Sequence, residues 1–181
     1  MNPFDIIEKY YDKKSTAYEI LVKHSKKVAE KAIAIAENIG EKTDMDFIYE
    51  AAILHDIGII HTNAPDIGCT GDRPYICHGI IGKKFLDDQG LKQHGFVCER
   101  HTLTGLSKQE IIENKLPLPQ KDMLPITLEE KIICYADKFF SKSPKYINIE
   151  KDVEQVKKML SKYGNQHTRK FEEWHEKFAL K

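Results

Sequence analysis

Residues 51–58 read Ala51-Ala52-Ile53-Leu54-His55-Asp56-Ile57-Gly58. Ile48, Ala51, Ala52 and His55 share one face at helical spacing, and Asp44 stands where an N-cap belongs. This predicts a helix from Asp44 that Gly58 ends. Working outward, Ser15 to Ile39 places Leu21, His24, Val28, Ala32 and Ile35 on one face, with Gly40 as the stop. Downstream, Gly68 to Arg73 reads as a loop, and Asp72 with Pro74 opens a third helix aligning His78, Ile81 and Phe85. Shorter helices are expected at Leu91 to His101 and Ser107 to Glu113. Pro117, Pro119 and Pro125 make Leu116 to Pro125 an extended connection. Thr127 and Glu130 form a capping box for a helix through Cys134 and Asp137, stopped at Ser143-Pro144. Two more helices follow, about Lys151 to Tyr163 and His167 to Leu180. No alternating strand stands out. The fold expected is an all-α bundle in one domain, residues 1–181, with a core at about 20–143 and C-terminal helices at 150–180 packed on it.

Composition bounds the function. The 181 residues are 41% hydrophobic and 31% charged, enough for one core under a solvated surface. Lys+Arg and Asp+Glu both number 28, so the formal net charge is zero. That argues against a strongly basic nucleic-acid binder or an electrostatic membrane binder, though a local basic pocket is compatible with it. No apolar run approaches the roughly 20 residues of a spanning helix. Residues 1–18 carry Asp5, Glu8, Lys9 and Asp12 and lack a signal-peptide core. Cys69, Cys77, Cys98 and Cys134 include no C-x-x-C pair, so free thiols in a cytoplasmic protein are expected.

The polar residues on the apolar faces carry the chemistry. His24, His55 and His78 sit on three separate helical faces, and Asp137 lies in the apolar run Ile132-Ile133-Cys134-Tyr135-Ala136-Asp137. An unpaired buried carboxylate or imidazole costs several kcal/mol. A metal ion removes that penalty by taking the same atoms as ligands. A lone histidine of this kind is more often a hydrogen-bonded core residue. Four histidines and two aspartates on converging faces favour metal.

The ordered set His24, His55-Asp56 and Asp137 resembles the H…HD…D signature of the HD-domain metal-dependent phosphohydrolases, and His55-Asp56-Ile57-Gly58 is its HDIG form. The likeness runs from about His24 to Ser141. In binuclear HD proteins two further histidines hold a second metal. Here they are His78, in Ile76-Cys77-His78-Gly79, and His101, in Arg100-His101-Thr102-Leu103-Thr104-Gly105, a context like that of HD-type dinucleoside tetraphosphate hydrolases. The resemblance implies that His24, His55 and Asp56 hold one ion with Asp137, and that Asp56, His78 and His101 hold the other. Two divalent ions (Fe, Mn, Co, Ni or Mg) would be the cofactors. The resemblance implies phosphoryl hydrolysis by a metal-bridged hydroxide, with a small phosphate substrate, a nucleotide by preference. Many HD hydrolases carry Lys after the HDxG turn. Mononuclear HD nucleotidases carry a Glu in this region; here Ile59-Ile60 and then His61 follow, which speaks against that subtype. Rival readings are a di-iron oxygenase with the same ligands and a non-catalytic nucleotide-binding module.

Among the basic residues, Arg100 and Lys138 adjoin ligands and are the candidates for neutralising phosphate beside catalytic Asp56. Lys83, Lys84 and Lys142 read as solvated helix charges. The loop His61 to Arg73 is placed to shape selectivity, with His61 as a candidate proton donor. His94, His167 and His175 read as surface residues. Phe171, Trp174 and Phe178 form a stripe suited to core packing, and it would also serve a homodimer contact.

Overall fold

A computed structural model describes residues 1–180. Local chemistry explains the helix boundaries. Asn2 caps the short α1 (Pro3–Ile7), which the sequence reading missed. Ser15 accepts the Tyr18 amide to open α2 (Thr16–Ile39), and Gly40 closes it in the left-handed region at φ 67°. Asp44 caps α3 (Met45–Leu54) through the Phe47 amide. This helix ends four residues before Gly58. Asp56 leaves helical geometry at φ −107°, ψ 10°, and a tight 3-10 turn, Ile57–His61, follows.

A hairpin of two-residue strands, β1 (Asn63–Ala64) and β2 (Cys69–Thr70), sets Asn63 opposite Thr70 and Ala64 opposite Cys69. After a 3-10 turn at Tyr75–Cys77 come α4 (His78–Asp88), α5 (Lys92–Arg100) and α6 (Lys108–Glu113). Then follow α7 (Leu128–Asp137), α8 (Val153–Leu160) and α9 (Asn165–Phe178). The fold is all-α. Among the described residues no helix is long and apolar enough to cross a membrane.

The long α2 packs against both α3 and α7, and α4 packs against α5 and the 3-10 turn after Asp56. Helix α9 closes the core: Phe171 packs on Tyr135 and Phe139, Phe178 on Tyr135, and Trp174 is buried in the same cluster. The Phe171–Trp174–Phe178 stripe is therefore buried against the chain's own core. The capping box expected at Thr127 is half formed. Thr127 accepts the Glu130 amide, but the Glu130 carboxylate turns to Arg100 and to the Ile126 amide.

Two devices hold the turn after Asp56. The buried Tyr11 hydroxyl donates to the Ile57 carbonyl at 2.8 Å and accepts the Ile60 amide at 3.1 Å. Gly58 lies so close to α4 that a Cβ there would collide with the His78 carbonyl and the Gly82 amide.

Candidate metal centre

Six side chains on or just past helix ends and faces converge beneath one cleft. His24 projects from the middle of α2. His55 and Asp56 follow the last turn of α3. His78 opens α4, His101 follows α5, and Asp137 ends α7. All six are buried. Thiols brace the backbone on either side: Cys98 donates to the Leu54 carbonyl at 3.4 Å and Cys134 to the His101 carbonyl at 3.2 Å.

Three of the histidines have their tautomer set by backbone. Nδ1 of His55, His78 and His101 lies 2.7, 2.7 and 2.8 Å from the carbonyls of Ala52, Tyr75 and Cys98. A carbonyl only accepts, so each Nδ1 carries hydrogen and each neutral ring presents a bare Nε2 lone pair. The lone pairs of His78 and His101 face one another, and His24 and His55 also bring their Nε2 atoms together. His78 Nε2 is 3.0 Å from His101 Nε2, and His24 Nε2 is 3.3 Å from His55 Nε2.

Asp56 stands between the two pairs. Its Oδ2 lies 2.8 Å from His55 Nε2 and 3.2 Å from His24 Nε2. Its Oδ1 lies 3.3 Å from His101 Nε2 and 3.4 Å from His78 Nε2. Asp137 Oδ1 completes the first set at 3.0 Å from His24 and 3.4 Å from His55. Ligand atoms within each set lie within 4.8 Å of one another. Oδ1 of the fully buried Asp56 has no hydrogen-bond partner among the described residues, and Oδ2 meets Lys142 Nζ at 2.6 Å. The opposed lone pairs of His78 and His101 and an Asp56 Oδ1 without a donor are costly without a cation. Imidazole and carboxylate are the donors a divalent ion takes. The residues therefore fit a binuclear metal site.

The electrostatics follow the same division. Burial, which exceeds the pull of Asp56, lowers His78 to about 3 and also lowers His101, so both are neutral at pH 7, the state a metal would need. At His55 burial works against the charge, but Asp56 and Asp137 outweigh it and raise the ring to about 9. At Asp56 burial favours the neutral form, yet His55 and Lys142 outweigh it and hold the carboxyl well below its usual range.

Lys142 is the residue that sequence reasoning missed. Its Nζ lies 2.6 Å from Asp56 Oδ2 and lines the cleft. Adjacency to the Ser143-Pro144 stop carried no sign that the chain folds back over Asp56. Lys138 also lines the cleft, but its Nζ donates to Asp137 Oδ2 at 2.7 Å and to the His101 carbonyl at 2.8 Å. Arg100 does not line the cleft. It forks onto Glu130 at 2.8 and 3.1 Å and lies over the Phe96 ring.

The cleft walls are Tyr75, Thr102, Leu103, Phe140, Met159 and Tyr163. The 61–73 loop contributes none of them, because it turns away into the β1–β2 hairpin with Gly68 against the start of α2. His61 is exposed, with its ring edge-on to Phe85, away from the cleft. His94 and His167 are not surface residues. His94 is buried with Nε2 3.1 Å from Glu50 Oε2 and its ring against Phe47. His167 is buried between Thr104 Oγ1 at 2.8 Å and Glu110 Oε1 at 2.9 Å. His175 is half-buried, 2.7 Å from the Tyr135 hydroxyl. Polar sequence neighbours hid all three, since each meets its partner across the fold.

The family model for the HD domain matches residues 21–141, from the start of the His24 face to just beyond Asp137. The chain belongs to the HD domain family. An uncharacterized protein of Methanocaldococcus jannaschii, MJ0778, is 34% identical over 153 residues, covering 82% of both chains. A tRNA (cytidine(56)-2'-O)-methyltransferase of Picrophilus torridus is 32% identical over 86% of this HD chain and 39% of its own length. The enzyme of the same name from Thermoplasma volcanium is 28% identical over 85% and 40%. The chain thus spans about two fifths of the methyltransferases it matches. No solved structure matches it.

Proposed function

We propose that this HD domain is a metal-dependent phosphohydrolase acting on a nucleotide-class phosphate ester with two divalent ions. The observation that carries the reading is Asp56, whose two oxygens each face a different histidine pair. His24, His55, Asp56 and Asp137 would hold one ion, and Asp56, His78 and His101 the other. Ions bound there, drawn from Fe, Mn, Co, Ni or Mg, would polarise phosphoryl oxygens and lower the pKa of water. Hydrolysis forms a P–O bond to water oxygen as the bond to the leaving oxygen breaks, and the proton released balances the leaving group.

The chain's own residues prepare that chemistry. Backbone carbonyls aim the imidazoles through Nδ1. Lys138 fixes Asp137 by holding its Oδ2, which leaves Oδ1 turned to His24. We assign Lys138 to positioning, and Arg100 to the Glu130 ion pair. Lys142 is the cleft ammonium we assign to the phosphoryl oxygen. The nucleotide preference is supported by the family and by two relatives whose names place them on tRNA. Their methyl transfer is a property of much longer chains.

The test is a screen of phosphate release from nucleotides and phosphodiesters with each metal, alongside elemental analysis and oxygen consumption. Two ions per chain and metal-dependent release, abolished in Asp56→Asn, are expected. Metal-loaded protein that consumes oxygen and releases no phosphate would overturn the reading.

A further inference from the structure

The segment after Asp137 differs from the rest of the chain. Residues 138–162 hold seven lysines against three acids, within a chain of zero net charge. Neutrality overall therefore conceals a local basic zone beside the metal centre. Lys157 pairs with Glu154 and Glu172. Lys145, Lys158 and Lys162 are exposed and have no acidic partner among the described residues.

Three depressions meet around the second half of α8. The metal cleft shares Met159 with a groove of about 430 Å³ that also touches Tyr146, Ile149, Lys151, Lys158 and Lys162, and no acid lines this groove. The cleft shares Tyr75, Thr102 and Tyr163 with a third groove of about 480 Å³, which Lys162 also borders. Met159, Lys162 and Tyr163 stand at the junctions.

A phosphate at the metal centre would meet Lys142 inside the cleft. The lysines of the second groove lie beyond it, so their charge calls for further phosphates. Exposed tyrosines accompany them: Tyr75 at 38%, Tyr146 at 47% and Tyr163 at 62%. One exposed tyrosine means little. Three that border lysine-bearing grooves combine flat stacking faces with a cationic track, the pairing that holds single strands without reading their sequence. We propose that α8 and its flanking loops form a docking surface for single-stranded nucleic acid, which presents a phosphate to the metal centre. The proposal rests on the phosphohydrolase reading for the fate of that phosphate, and on charge and aromatic placement for the binding itself.

The test is fluorescence anisotropy on the full chain as purified, with fluorescein-labelled single-stranded RNA and DNA of about ten nucleotides. Adenosine monophosphate serves as competitor. The variants are Lys158→Glu/Lys162→Glu in the groove and Lys84→Glu/Lys92→Glu on α4 and α5, with equal change in net charge. The wild type should bind an oligonucleotide at least tenfold more tightly than the mononucleotide. The groove variant should lose tenfold or more, with a salt slope shallower by about 1.4 for two lost single-strand phosphate contacts. The α4–α5 variant should stay within twofold. An oligonucleotide bound no better than adenosine monophosphate, or equal losses in the two variants, would overturn the proposal. Metal content and hydrolysis of bis(p-nitrophenyl) phosphate, read on the same wild-type sample, separate the two ideas. Active, metal-loaded protein that binds no oligonucleotide sinks the docking surface alone. Groove-dependent binding by a protein that takes up no metal and cuts no ester supports the surface and sinks the phosphohydrolase reading.

Discussion

The buried Asp56 carboxylate and the half-buried Lys142 ammonium are in contact, and each is tuned by the other. At Lys142 burial disfavours the ammonium, but Asp56, Tyr75 and Asp137 outweigh it and raise it above the ordinary lysine value. Lys142→Met keeps most of the stem and removes the charge. We expect two ions still to bind and hydrolysis to fall about ten- to a hundred-fold, the worth of one charge-assisted contact of roughly 1.5–3 kcal/mol. Unchanged turnover would remove Lys142 from the site. The histidines allow a finer division. His78→Ala should lower metal content by about one ion per chain, and His24→Ala should empty the other set, as read by elemental analysis. His94→Ala tests a different idea. His94 packs on Phe47 and faces Glu50, so its loss should lower stability by about 1–3 kcal/mol in denaturant while metal content stays at two. Metal loss in His94→Ala equal to that in His78→Ala would break the ligand assignment.

Between residues and the whole lie the elements, and there the glycine of the HDIG run matters most. Gly58 is not required for an unusual backbone angle. It is required because the turn after Asp56 presses on the first turns of α4, where the His78 carbonyl and the Gly82 amide leave no room for a Cβ. Since Asp56 and His78 flank this contact, Gly58→Ala should push the two ligand sets apart. It should lower Tm by 10 °C or more and impair metal uptake, because backbone cannot yield as a flexible side chain does. Gly90→Ala is the comparison. Its Cβ would meet nothing, and only the φ of 75° is unfavourable, so a cost of about 1–2 kcal/mol with full metal content is expected. The ligand-bearing helices were legible in the sequence because each ligand lies on or ends an apolar face with a cap or stop nearby, as with Ser15, Asp44 and Thr127. The start of α4 was less so, since Tyr75–Cys77 forms a separate 3-10 turn before it. Long-range partners were not legible at all. Nothing local says that Glu130 takes Arg100, that Glu50 takes His94, or that Lys142 reaches Asp56. Those pairs depend on how α5, α7 and the 138–152 segment cross.

For the whole molecule, the proposed metal centre would be a fastening as well as a site. Its candidate ligands come from α2, the end of α3, the start of α4, the end of α5 and the end of α7, a span from His24 to Asp137. An unfolded chain holds them far apart, so ions that bind the folded set stabilise the fold by mass action. At a free metal concentration one hundred times Kd the gain is about 2.7 kcal/mol for each ion. For a chain of this size that raises Tm by about 5–10 °C per ion. Without ions the folded state must keep the opposed lone pairs of His78 and His101 and the buried Asp56 carboxylate in place. Chelation should therefore lower Tm while leaving the helical signal below the transition intact, because the apolar packing of α2, α3 and α7 does not depend on metal. Thermal melts monitored by circular dichroism, with chelator and then with Mn, Fe, Co, Ni or Mg restored, read this directly. Asp56→Asn should melt at one temperature in every condition, since it removes the carboxylate shared by both sets. If the wild-type Tm were equally indifferent to chelator and to every ion, the six converging side chains would be a polar core held by Lys138 and Lys142 rather than a metal centre.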